Sequence, residues 1–135
     1  MAFLPTAWAP RAHSLLRIIA GLMFLMHGTQ KLFTFPDPSQ NMAGAPPMVK
    51  VGGIIELVCG ALIAIGLLTR IAAFLASGEM AVAYFVVHAK NGFWPIMNQG
   101  ELAVLYCFVF FYFAFAGAGP WSVDAALPRS RATSP

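Results

Sequence analysis

The sequence predicts an all-α integral membrane protein, built as an antiparallel bundle of four transmembrane helices. Three observations carry that prediction. Of 135 residues, 59% are hydrophobic and only 10% charged, against about 25% charged in an ordinary soluble domain. Polar surface is therefore too scarce to cover a water-facing globule. Four apolar stretches reach the length of about 20 residues that spans a bilayer as helix. The segments joining them are short, which makes up-down-up-down the simplest arrangement.

The elements follow in order. Residues 1–13 form an N-terminal segment on the cytoplasmic side, and residues 14–127 the transmembrane domain, with helices at 14–33, 49–68, 71–89 and 100–118. The first stretch follows arginines, as a signal peptide would, but "HGTQKLF" comes after it instead of a small-residue cleavage site, so it reads as a retained helix. The first loop, "TFPDPSQNMAGAPPM", is rich in Pro, Gly and Ser and predicts irregular chain. "TR" alone separates helices two and three, predicting a tight turn there. The third loop, "KNGFWPIMNQ", holds an Asn91-Gly92 turn and Trp94, a residue favoured at headgroup level. Pro120 ends the fourth helix, and residues 128–135 form a polar tail.

Charge sets the orientation. The net charge of +3 comes from eight scattered Lys and Arg; no basic stripe exists, which argues against nucleic acid. With both termini in the cytoplasm, the inner face collects Arg11, Arg17, Arg70, Arg129 and Arg131, and the outer face Lys31, Lys50 and Lys90. Cys59 and Cys107 lie in apolar runs without metal-ligand or thiol-relay spacing, and read as buried, unpaired thiols.

The ionisable residues inside the helices need a reason. One such group at the bilayer centre costs about 2.5–3.5 kcal/mol on insertion scales, so these groups face the bundle interior and pair. On the first helix Arg17, Gly21, Phe24, Gly28 and Lys31 fall within about 40° of one line, with His27 on its flank. Glu56 sits among Gly52, Gly53, Cys59 and Gly60; Glu79 lies between Ala76 and Ala83; Glu101 heads a face with Leu105, Phe108 and Tyr112. Depth, at about 1.5 Å per residue, places His27, Lys31, Glu56 and Glu101 in the outer half, Glu79 deeper and Arg17 near the inner end. The candidate site is thus His27, Lys31, Glu56, Glu79 and Glu101, with Arg17 and Tyr112 as secondary members. Lys31 and Arg17 against three glutamates leave one excess negative charge, so one carboxyl or His27 carries a proton. Lys31 alone would read as a snorkelling anchor, and Arg17 as an inner-edge anchor. His88 lies opposite Glu79 and reads as an interface residue, and the seven methionines as packing.

These residues carry a resemblance. "HGTQKLF", "GGIIELVCGALIAIGLLTRIAA" and "GELAVLYCFVFFYFAFAGAGPWSVDAAL" are similar to the DoxX/DoxD-like membrane proteins, small bacterial four-helix proteins, over Leu15 to Leu127. The resemblance implies a bacterial cytoplasmic (inner) membrane location and an association with redox chemistry. Some members are the membrane subunit of a thiosulfate:quinone oxidoreductase, and others belong to thiol or oxidative-stress systems. The recurring polar positions of the family map onto His27, Lys31, Glu56 and Glu101. The chain matches a short member with no appended redox domain.

Three functions stay open at this level. The first is a quinone- or redox-associated membrane component, its polar cluster holding a headgroup or relaying a proton. The second is an assembly or interaction subunit serving other membrane or redox proteins. The third is a small-solute or proton transporter, because intramembrane carboxylates often mark pathways. No nucleophile–base–orienter set can be drawn; Ser77 has Glu79 nearby in sequence but no histidine partner.

Overall fold

The computed structural model describes residues 4–128, and among these the chain is helical with no strand. A 3-10 turn (Thr6–Trp8) leads into α1 (Ala9–Phe33), followed by α2 (Pro47–Ile65) and α3 (Thr69–Ala83). A π turn (Tyr84–His88) and a 3-10 turn (Ala89–Asn91) extend α3. A single turn, α4 (Pro95–Asn98), precedes α5 (Glu101–Ala116), and another, α6 (Val123–Ala126), comes last. Arg129, Arg131 and the rest of the polar tail lie outside the described residues.

The start of α1 is set by Pro10, which fits a first helical turn because its missing N–H would be unpaired there anyway. Thr34 ends the helix in the left-handed region, its N–H donating to Gln30 O. Helix α2 likewise begins on a proline and ends at Gly66 (φ 74°). There the N–H of Leu67 reaches Leu62 O and that of Gly66 reaches Ile63 O, the crossed pair of a Schellman cap. The tight turn between α2 and α3 therefore runs over Gly66–Leu68. Thr69 and Arg70, expected as the turn itself, already belong to α3.

Cross-helix contacts fix the directions. Lys31, late in α1, meets Glu56 at the middle of α2, and Arg17, early in α1, meets the last turn of α2. Arg70, at the start of α3, reaches the end of α5 at Phe115, and Tyr84 meets Gly100 just before α5. Neighbouring long helices thus run antiparallel. α1 packs mainly on α2, α3 mainly on α5, and α2 against α3 joins the two pairs.

Glycine makes the α1–α2 seam close. A Cβ added to Gly28 would sit 2.5 Å from Leu57 N, and one on Gly60 2.6 Å from Leu25 N. Small residues that admit a neighbouring backbone are the usual device for packing helices in lipid, where apolar burial supplies no drive. The aromatic rings of Phe24, Tyr106 and Phe110 fill the centre, with the Phe24 and Phe110 centroids 4.7 Å apart. Ile63, Ala73, Ala76 and Phe113 complete this core and are fully buried.

The distribution of polarity is inverted relative to a soluble protein. Arg17 and Glu56 are buried, while Ile19, Phe74, Leu75, Phe85, Phe108 and Phe115 point outward. Exposed apolar surface of this extent marks contact with something other than water. By length and composition, Pro47–Ile65 and Thr69–Asn91 are each long and apolar enough to cross a membrane.

One expected face is corrected. The stripe Glu101, Leu105, Phe108 and Tyr112 faces outward, not into the bundle; Phe108 is 67% exposed. α5 instead buries Ala103, Tyr106, Phe110 and Phe113. The helix is apolar on all sides, so hydrophobic periodicity carries no signal about which side is inward.

Candidate functional site: a lysine between two carboxylates

The inward stripe of α1 delivers Lys31 one helical turn beyond Gly28, one of the points where the two backbones meet closely. Its Nζ donates to Glu56 Oε1 at 2.6 Å. This is the only ion pair among the described residues. Glu56 is 2% exposed against 24% for the Lys31 side chain, so the pair opens through the lysine. Glu79 arrives from α3 on the other side of Gly52: a Cβ added there would lie 3.0 Å from Glu79 Oε1 and 4.0 Å from Lys31 Nζ. Gly52 is therefore the floor on which lysine and second carboxylate converge.

Donors are short at this site. Glu56 Oε2, Glu79 Oε2 and the Tyr106 hydroxyl are buried with no hydrogen-bond partner. Charge is unbalanced in the same direction, two carboxylates to one ammonium. A buried polar atom left unpaired costs about 1–3 kcal/mol; here two carboxylate oxygens lack a donor, while the Tyr106 hydroxyl, which can donate as well as accept, lacks any partner.

A groove of about 550 Å³ leads to it between α2 and α3. Its walls include Val51, Ile55, Phe74, Leu75, Val82 and Val86, and its polar lining is Lys31 and Glu79. The π turn of the α3 extension brings Val86 and Val87 into that wall; such turns recur at functional sites. The groove thus has an apolar body and one ionic end, the shape that suits an amphiphile.

The sequence-read candidates divide. Lys31, Glu56 and Glu79 come together, with Glu79 at the level of Lys31 instead of deeper in the bundle. His27 stands beside the cluster and is turned outward. It lines a shallow surface cavity with Met23, Met26, Gln30 and Gln40, and its ring meets that of Tyr106 edge-on at 6.0 Å. Glu101 is exposed and has no ion-pair partner among the described residues. Tyr112 lies at the opposite end, within 3.1 Å of His13 Nδ1.

Arg17 is likewise remote from the cluster, and it is not an edge anchor. It is fully buried and donates to Ala118 O at 2.7 Å, Ala64 O at 2.7 Å, Ile63 O and Trp121 O. His88 approaches Asn98 O at 3.1 Å. Ser77 donates to Cys107 O at 2.8 Å, which leaves its hydroxyl occupied in packing. No group of three His, Cys, Asp or Glu side chains fit to hold a metal ion occurs among the described residues.

Within the run "YCFVFFYFAF" the sequence offers Tyr106 and Tyr112 alike as cavity-lining residues, and the candidate set takes Tyr112, whereas it is Tyr106 that lies by the cluster. Asn98 was missed: its amide donates to Gly92 O at 2.7 Å and its Oδ1 accepts from Gly100 N at 2.8 Å, closing the α3–α5 connection. The only local hint was the turn composition around it.

Helices that turn their aliphatic residues outward and enclose an ionic cluster define a class, the small all-helical membrane proteins with a polar site reached from the side. The model of the DoxX family matches residues 12–89, more than half the chain, and the chain belongs to that family. An uncharacterized Haemophilus influenzae protein is 46% identical over 122 residues, covering 87% of this chain and 91% of the relative. A Mycobacterium tuberculosis protein named as a membrane protein is 29% identical over 136 residues, covering 88% and 82%. CatD of Bacillus subtilis, named as a candidate oxidoreductase, is 32% identical over 113 residues, covering 82% of each. No solved structure matches the chain.

Proposed function

We propose that the protein is a quinone-binding, redox-associated component of the bacterial inner membrane. In this reading four helices, α1, α2, α3 with its extension and α5, span the bilayer. Both termini are placed in the cytoplasm, the orientation that five arginines at one end against three lysines at the other favour. The observation that carries the proposal is the α2–α3 groove, whose apolar walls end on one donor, Lys31, and one acceptor, Glu79.

That pair matches both states of a quinone headgroup. A quinone carbonyl accepts from the Lys31 ammonium; a hydroquinone hydroxyl donates to the unpartnered Glu79 oxygen. The isoprenoid or alkyl tail lies along Phe74, Leu75 and Val82. The name of CatD supports the redox association. The chain holds the ligand, and a partner protein carries the electrons onward.

Titrating the purified protein with a short-chain benzoquinone and with its hydroquinone tests this. Losing one charge-assisted hydrogen bond costs about 1.5–3 kcal/mol, roughly ten- to hundredfold in affinity. Glu79→Gln is expected to weaken the hydroquinone by that factor, Lys31→Met the quinone, and Glu101→Gln neither. Equal affinities across all three variants and the parent would reject the site.

A further inference from the structure

We propose that Lys31, Glu56 and Glu79 form a one-sided proton gate, through which the buried carboxyls exchange protons only with the aqueous phase next to the α1–α2 loop. The gate goes beyond ligand identity. It rests only on the part of the reading above in which the helices span the bilayer.

Two cavities meet at Lys31. One is the lipid-facing groove already described. The other, of about 530 Å³, lies under the α1–α2 loop and is lined by Leu32, Thr34, Asn41 and Lys50 as well as Lys31. Asn41 and Lys50 are exposed, so this vestibule faces the loop side. Lys31 thus belongs to a water-side cavity and to a lipid-side cavity, while its ammonium holds a carboxylate that is itself 2% exposed.

The other direction is closed. Between the cluster and the opposite end lie Phe24, Ile63, Ala76, Phe110 and Phe113, all with no exposure. Beyond them the Arg17 guanidinium is committed to four backbone carbonyls. A proton on Glu79 therefore has a polar route toward the loop and an apolar plug behind it.

The groups that face Glu79 come from each packed element. α1 supplies Lys31, with His27 beside it; α2 supplies Glu56 and Cys59; Tyr106 of α5 faces Glu56. The step is a proton transfer between a carboxyl oxygen and water in the vestibule. Swinging of the Lys31 side chain opens the way, and no electron moves. Under the orientation above, protons of a headgroup in the groove would be exchanged with the outer phase.

The test uses the full chain in liposomes whose internal and external pH are set independently. A Gly44→Cys variant, at a loop position with open space around it, reports orientation through a membrane-impermeant maleimide. A lipid-soluble carbodiimide, which reacts with protonated carboxyls, is read at Glu79 by mass spectrometry. Expected is loss of labelling when the loop-side compartment is made alkaline and retention when the opposite one is. Asn41→Trp, which fills the vestibule, should slow the response while leaving the end point unchanged. Labelling that tracks the opposite compartment, both compartments or neither would overturn the gate, as would no labelling at any pH. Failure of quinone binding would leave every one of these outcomes unchanged.

Discussion

Arg17 and Asp124 illustrate how single residues close this fold. The arginine fills the carbonyls at the end of α2, Ile63 and Ala64, where a helix presents unpaired acceptors and the negative end of its dipole. The aspartate does the complementary task for α3, accepting from Leu68 N at 2.9 Å and Thr69 N at 3.0 Å. Together they clasp the α2–α3 turn to the C-terminal segment. Burial alone would raise the Asp124 pKa, but the Thr69 and Leu68 donors and Arg17 outweigh it and hold the carboxyl below the ordinary aspartate range. A folded-state pKa that is lowered means stability present above the unfolded value and lost as pH falls through the folded one. Amide protection at Leu68 and Thr69, relative to the intrinsic exchange rate at each pH, should therefore fall on acidification below about pH 4, and Asp124→Asn should abolish that acid step. An acid profile identical in the two proteins would contradict the clasp. The arginine's inward direction was legible in its register with Gly21, Phe24 and Gly28. Its task was not, because its four acceptors are backbone oxygens from residues 46 to 104 positions away, and backbone atoms leave no residue-type signature.

At the scale of elements, glycine decides which helices touch. Gly28 and Gly60 lie where backbone meets backbone, whereas Gly78 on α3 has nothing within 4 Å of an added Cβ. Gly28→Ala should cost about 1–3 kcal/mol, since neighbouring backbone cannot yield to the methyl group. Gly78→Ala should be neutral or gain up to about 1 kcal/mol from helix propensity. Thermal unfolding in detergent reads both, and equal effects would mean the seam is looser than described. The sequence separated α1 and α2 well because small and charged residues recur there at helical spacing. It failed on α5, where Glu101 and Tyr112 were placed inward. A helix that is apolar all round is oriented by shape, by which ring fits against Phe24, and not by composition. Glu79 was misplaced in depth for a related reason. Counting residues along one helix ignores the offset between neighbours, and Gly52 lets Glu79 reach the level of Lys31.

For the whole molecule, the pattern is an oily exterior around an apolar core, with a polar cluster of different job at each end. One end, around Arg17, has the arginine's donors matched to carbonyls, leaves one buried oxygen, Thr69 Oγ1, unpartnered among the described residues, and reads as a fastening. The other, around Lys31, leaves three buried oxygens unpartnered and opens sideways through an apolar groove. That difference is what the proposed binding site rests on, and it is invisible in a count of charges, which weighs both ends alike. It belongs to the α2–α3 interface, and a headgroup bound there should leave its mark on those two helices. A photoreactive benzoquinone carried in nanodiscs with the protein, mapped by mass spectrometry, tests this most directly. The account predicts cross-links concentrated on Val51, Ile55, Phe74, Leu75 and Val82, suppressed by excess unlabelled quinone and weakened in Glu79→Gln. Cross-links spread over the outward face of α5, or on the groove but insensitive to both competitor and variant, would contradict it.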